Sequence, residues 1–300
     1  MAGPLRVEHE VEVARWVQEA LREDFSVSAV VPPVFEACAR ILHPASLDVP
    51  TDEMDAWGNL QFASREITWA EAAELIGDRA SRSQPYTAWL ARFGEQQFEM
   101  PDGGWLNEPH QGDIPLPLLT ALAQLLLDEH GEADVLAAVW EGSGLDMSSV
   151  SVFAAADDSM SGLLADWRAR RDAEDAHIAE LRASIDPDVV DAMRHGHVLG
   201  LPREHQGRGH VLLRGRLVSL TDPTWVEAAG LGWRPGGWEG DGRTPNLLWP
   251  AEPDASPAWM VATDLDLDTT LIGGSARLIG RVLAHPSFEA ERVLPTDPLV

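Results

Sequence analysis

The sequence predicts an α+β fold, with a helix-rich N-terminal half and then a mostly antiparallel sheet with a packed C-terminal helix in the last third. Three observations carry that expectation. Apolar residues recur at helical spacing through much of the chain up to Leu126, the best strand runs fall after His205, and no regular βαβ alternation links them.

The elements follow in order. Val7, Val11, Ala14, Val17 and Leu21 mark one face of a helix over 6–22. A second helix is expected from Pro33, which suits a first helical position, with Val34, Phe35, Cys38, Ile41 and Leu42 as its stripe and His43-Pro44 as its stop. Thr68-Trp-Ala-Glu71 has the form of a capping box and opens a third, ending at Gly77. Tyr86, Trp89, Leu90 and Phe93 suggest a short helix closed by Gly94. Beyond a loop at 101–117, Leu118, Leu119, Leu122, Leu125 and Leu126 give a strongly apolar helix capped by Gly131. Val135 to Trp140 reads as a buried strand, with 150–155 as a hairpin partner. The span 159–184 reads as a charged, exposed helix, and Asp186-Pro187 starts a short one running to about Met193.

In the last third, His210 to Leu220 and Trp259 to Thr263 are the best strands. Between Trp225 and Trp259 lie five tryptophans, with Trp233, Trp238 and Trp249 among glycines and prolines. Indole rings either anchor such a loop on a core or present a flat surface to a ligand. Asp264, Asp266 and Asp268 alternate with Leu265 and Leu267, which on a strand places three carboxylates on one face. Gly273-Gly274 reads as a tight turn, and Ser275 as the cap of a last helix with Leu278, Ile279, Val282 and Leu283 inward. The expected organisation is a mainly helical region over 1–155, a charged connector over 156–205 and a strand-rich region over 206–300.

Composition excludes much chemistry. All 22 basic residues are arginine, so no Walker lysine, Schiff base or Ser-Lys pair can form. Cys38 is the only cysteine, which rules out an intrachain disulfide and points to a small buried hydrophobe. A net charge of −27 repels a phosphate backbone, so no nucleic-acid partner is expected, and it would steer a basic protein to the surface. The first residues lack the layout of a secretory signal and no apolar run is long enough to span a bilayer, which predicts a cytoplasmic protein without a membrane partner.

The remaining candidates are weak in pattern. His195, His197, His205 and His210 cluster, yet Arg194, Arg203 and Arg208 sit among them and no established metal spacing is matched, so no metal is assigned. The three aspartates fail the EF-hand pattern, since Thr269 stands where its glycine belongs. Gly273 to Arg277 comes within one residue of a nucleophile elbow, but His285 precedes Asp297, the wrong order for that fold. No catalytic residue and no cofactor are assigned. The ligand-binding candidates are Trp233, Trp238, Trp249, Asp264, Asp266 and Asp268.

Pro245-Asn-Leu-Leu-Trp-Pro250, the run from Ala258 to Ser275 and Val211-Leu-Leu-Arg-Gly215 resemble a group of actinobacterial proteins without an assigned activity. Val30 to Pro44 and Ala138 to Gly142 are similar to earlier segments of that group. The resemblance implies a bacterial cytoplasmic origin and carries no mechanism. Together these readings favour a non-catalytic acidic protein that binds another, basic protein in an immunity-like or regulatory role. The alternative is an enzyme or small-ligand binder with its site between the tryptophan-rich loop and the Asp264 to Asp268 run.

Overall fold

The computed structural model describes residues 4–54, 59–78, 86–90, 98–142, 183–201, 209–232, 244–251 and 257–299, with the single residues 145, 176 and 179. The expected fold class is overturned: the described chain is dominated by two antiparallel sheets joined by short helices, and its N-terminal half is not helix-rich. The larger sheet uses β1 (Leu5–Val7), β2 (Ala37–Leu42), β7 (Asp134–Trp140), β8 (Val198–Gly200), β9 (Gly209–Arg216), β10 (Leu247–Pro250), β11 (Met260–Ala262), β12 (Thr269–Gly274) and β13 (Glu289–Val293). Its order is β1-β9-β7-β10-β11-β12-β2-β13. β1 and β8 lie end to end along the same side of β9, because β7 pairs along the other.

The largest single difference from expectation is β2. Residues 37–42 are all buried and pair with β12 on one side and β13 on the other. A short apolar run has no period that separates a buried helix from a strand covered on both faces, so Cys38, Ile41 and Leu42 fit either form. The sheet decides. Ala39 and Ile41 face one core layer, and Cys38 faces the other. Cys38 is the small buried hydrophobe expected, with its thiol pushed up to about 11 by burial.

Both faces of the large sheet are covered. Val135, Ala137 and Val139 point to one core, which packs on α4 (Leu116–His130), α5 (Pro187–Arg194), α6 (Trp225–Ala228) and α7 (Ala276–Leu283). Leu136 and Ala138 point to the other, where Ala14 and Val17, at the start of and within α1 (Arg15–Ala20), close the layer with Val27, Val30 and Val31. The helix expected over 6–22 is thus split into β1, a 3-10 turn over 11–14 and α1. The helices with local start and stop signals stand as read. Thr68 accepts from the Glu71 amide at 3.1 Å before α2 (Trp69–Ile76), and Gly77 ends it at φ 70°. Asp186 and Ser275 cap α5 and α7 in the same manner.

The smaller sheet has the order β4-β3-β6-β5, with β3 (Ala45–Met54), β4 (Leu60–Ile67), β5 (Phe98–Glu99) and β6 (Trp105–Asn107). One of its faces packs Ala45, Leu47, Ile67 and Leu106 on α2 and α3 (Tyr86–Leu90). The two sheets are tied by the chain itself, which runs from β2 through His43 into β3. They are also tied by Glu289 of β13, whose carboxylate accepts from the Trp69 and Ala70 amides at the start of α2. No helix among the described residues is long and apolar enough to cross a membrane. Phe93, Gly94, the 150–155 strand and most of the 159–184 helix lie outside the described residues.

Candidate functional site

The aspartate run is not a strand. Leu267 N–H donates to the Asp264 carbonyl at 2.9 Å, closing a turn between β11 and β12, and the three carboxylates go three ways. Asp264 accepts from the amide of Leu265 at 2.6 Å, Asp266 is exposed, and Asp268 is buried. Asp268 accepts from the Tyr86 amide at 2.6 Å, and its carbonyl accepts from His43 N–H. Burial raises its carboxyl above the usual range, against the pull of that amide and of Arg40. It therefore joins α3 to the large sheet and offers nothing to an external ligand.

Around it lies a polar layer at one end of the large sheet. His43 is fully buried, and both ring nitrogens are engaged, Nδ1 with the His110 carbonyl at 2.7 Å and Nε2 with Thr270 Oγ1 at 2.8 Å. Burial lowers its pKa to about 4, so the ring is neutral at pH 7, Nδ1 donating to the carbonyl and Nε2 accepting from the hydroxyl. His110 pairs with Asp113, whose second oxygen accepts from the Thr244 amide. Asn246 spans the layer, donating to the Gly112 carbonyl and accepting from the Trp140 amide. Residues Asp113, Thr244 and Asn246 belong to stretches that periodicity reads only as loop; their signal is polarity next to a strand end.

Beside this layer Asp264, His210, Asn246 and Thr263 line a small pocket with Leu21 and Val30. Its interior has room for about one water molecule. Of the proposed aromatic wall, Trp249 sits in β10, 1% exposed, edge-on to Trp16 at 6.1 Å. Trp225 and Trp259 are likewise buried, whereas Trp233 and Trp238 lie outside the described residues. The three described tryptophans of that segment thus lie within the cores.

The other candidates resolve locally. His195 reaches Asp191 on its own helix and lies 6.4 Å from the His197 ring, His197 meets His9 edge-on, and His210 is buried in β9 beside Asp264 and Asn246 at the small pocket. His205 lies outside the described residues, among which no group of three or more potential ligands could hold a metal. Ser275 Oγ accepts from the Leu278 amide, and the Glu36 carboxylate accepts from the Ala276 amide, so the start of α7 already holds an anion of the chain. Gly273 and Gly274 lie within β12 rather than in a turn: a Cβ on Gly273 would overlap Phe35.

The feature that the sequence reading missed is the β3–β4 ribbon. Four of the nine large apolar side chains exposed among the described residues stand on it: Val49, Met54, Leu60 and Phe62. Residues 60–66 are exposed throughout. Its far face, opposite α2 and α3, carries Phe62, Ser64 and Glu66 beside Ser46, Asp48 and Pro50, because directly paired residues share a face. The described residues from 45 to 78 hold seven carboxylates against the single Arg65. Arg65 lies on the covered face and pairs with Glu71 at 2.6 Å, so no cation among the described residues of the ribbon stands on the open one. An apolar patch rimmed by one sign of charge is the usual form of a protein-binding surface. Compared with protein-family models, curated proteins and solved structures, the chain matches none.

Proposed function

We propose that this protein acts by binding a basic protein partner, in an immunity-like or regulatory role in the bacterial cytoplasm, and that the β3–β4 ribbon is the contact surface. The single observation that supports this most is the open face of the small sheet, where Phe62 stands exposed among Asp48 and Glu66. A solvent-facing strand position normally takes a polar side chain, and covering the 43% of Phe62 that is exposed is worth roughly 1 kcal/mol. The net charge of −27 brings a basic partner to that surface quickly, and the apolar residues hold it there. The same reading keeps the chain within the actinobacterial group that its C-terminal motif resembles.

The test is calorimetric titration with a short peptide of alternating arginine and valine, and with its glutamate counterpart. The arginine peptide should saturate at one per chain and weaken about tenfold or more between roughly 50 and 300 mM salt, while the glutamate peptide should not bind. No binding at low salt, or binding indifferent to salt, would count against the proposal.

A further inference from the structure

We infer that the partner docks as an added strand on the outer edge of β4, an extended segment with basic side chains at alternate positions. The inference rests on the basic-partner reading above and deepens it by naming the site.

The edge is open, and its polarity can be read from two residues. Pro50 stands directly opposite Phe62, and having no N–H it cannot exchange a pair of ladder bonds with it. The bonded pairs are therefore the alternate ones, Val49 with Ala63, Leu47 with Arg65 and Ala45 with Ile67. Thr51 agrees: its hydroxyl donates to the Gln61 carbonyl at 3.1 Å, so the odd-numbered residues of β4 aim their main-chain groups at β3. The N–H and C=O groups of Phe62, Ser64 and Glu66 consequently point away from the sheet. β4 ends the strand order, and its residues 60–66 are exposed.

Such an edge is a template for another strand, and folded proteins usually blunt it with lysine, proline or a covering loop. β4 contains no proline and this chain has no lysine. Its one cation, Arg65, is turned to the covered face and held by Glu71.

Charge selects the occupant. A segment laid along β4 would place alternate side chains beside Phe62, Ser64 and Glu66, with Asp48 one strand further on. An arginine or lysine there meets Glu66, and an apolar neighbour meets Phe62. A second copy of this chain would bring the same net charge of −27 to the edge, and its own β4 has no cation on that face to set against Glu66. The geometry thus favours a basic strand over self-pairing.

The experiment is amide hydrogen exchange on the whole protein with and without the arginine–valine peptide. The amides of Phe62, Ser64 and Glu66 should exchange freely alone and slow by at least about tenfold when the peptide is bound. Ser64→Pro removes an outward N–H without touching the ladder to β3, and should weaken the peptide by about fivefold or more, with an unchanged melt. A peptide N-methylated at alternate residues should bind correspondingly less. If the peptide binds but protection appears elsewhere and Ser64→Pro has no effect, the edge site is overturned while the basic-partner reading stands. If nothing basic binds, both fail. A dimer that Ser64→Pro dissociates would replace the basic segment with a second copy and overturn the inference.

Discussion

His43, one residue past the end of β2, meets Thr270 of β12, with the ring Nε2 2.8 Å from the hydroxyl, in a site with no access to water. The bond fixes a neutral imidazole where the two sheets join, next to the carbonyl of His110 and the carboxylate of Asp113. Two predictions follow from its burial.

Thr270→Val keeps the shape of the side chain and leaves the ring nitrogen unpaired. Urea denaturation should show a loss of about 1–3 kcal/mol, the cost of a buried polar group without its partner. Thr270→Ser keeps the hydroxyl and should lose less than the valine variant.

Acid should destabilise the fold in a definite window. The native pKa of His43 lies near 4, below the value of about 6.5 expected when unfolded, so the unfolded chain takes up the proton first. Its contribution is complete above about pH 6.5 and lost as pH falls towards about 4, amounting to roughly 3 kcal/mol. Asp268 works in the other direction: its raised native value means that protonation at low pH relieves a buried charge and offsets part of the loss. Thermal melts from neutral to acid pH should fall through this window. In His43→Gln the slope should flatten from a lower starting stability.

Gly273→Ala adds a methyl group that overlaps Phe35 and reaches Val31 Cγ1 at 2.8 Å. Overpacking of this kind costs about 1–3 kcal/mol. Adding Phe35→Ala should recover part of that in a double-mutant cycle, which separates crowding at this contact from a general effect of the strand.

Glu289→Ala should loosen the join between the sheets. The carboxylate holds the Trp69 amide at 2.6 Å and the Ala70 amide at 3.3 Å, two of the donors that the start of α2 leaves unpaired. The expected loss is about 1–2 kcal/mol by denaturation, accompanied by a change in tryptophan fluorescence as Trp69 shifts.

What was legible in the sequence was local. Thr68, Asp186 and Ser275 announce their helices because a cap and its amide are two or three residues apart, and Gly77 and Gly131 end theirs by conformation alone. β2 was not legible, since the distinction between a strand and a helix for Ala37 to Leu42 lies in β12 and β13, contributed by residues more than 200 positions away. The β3–β4 ribbon was missed for a different reason. It carries apolar residues on both faces, Leu60 and Phe62 open to solvent and Ala45, Leu47 and Ile67 covered, with Arg65 on the covered one, so alternation singles out no face. The acidic turn misled in the same manner: Asp264, Asp266 and Asp268 alternate like strand residues, yet the Leu267-to-Asp264 hydrogen bond folds them into a hairpin end.

The claim that the ribbon is the docking surface is tested most directly by Leu60→Ser with Phe62→Ser, which changes no charge and removes no core contact. The affinity for the arginine–valine peptide should fall by about tenfold or more at low salt, with the melting temperature unchanged. An unchanged affinity would show that the peptide answers only to the overall negative field, and would contradict the ribbon as the site.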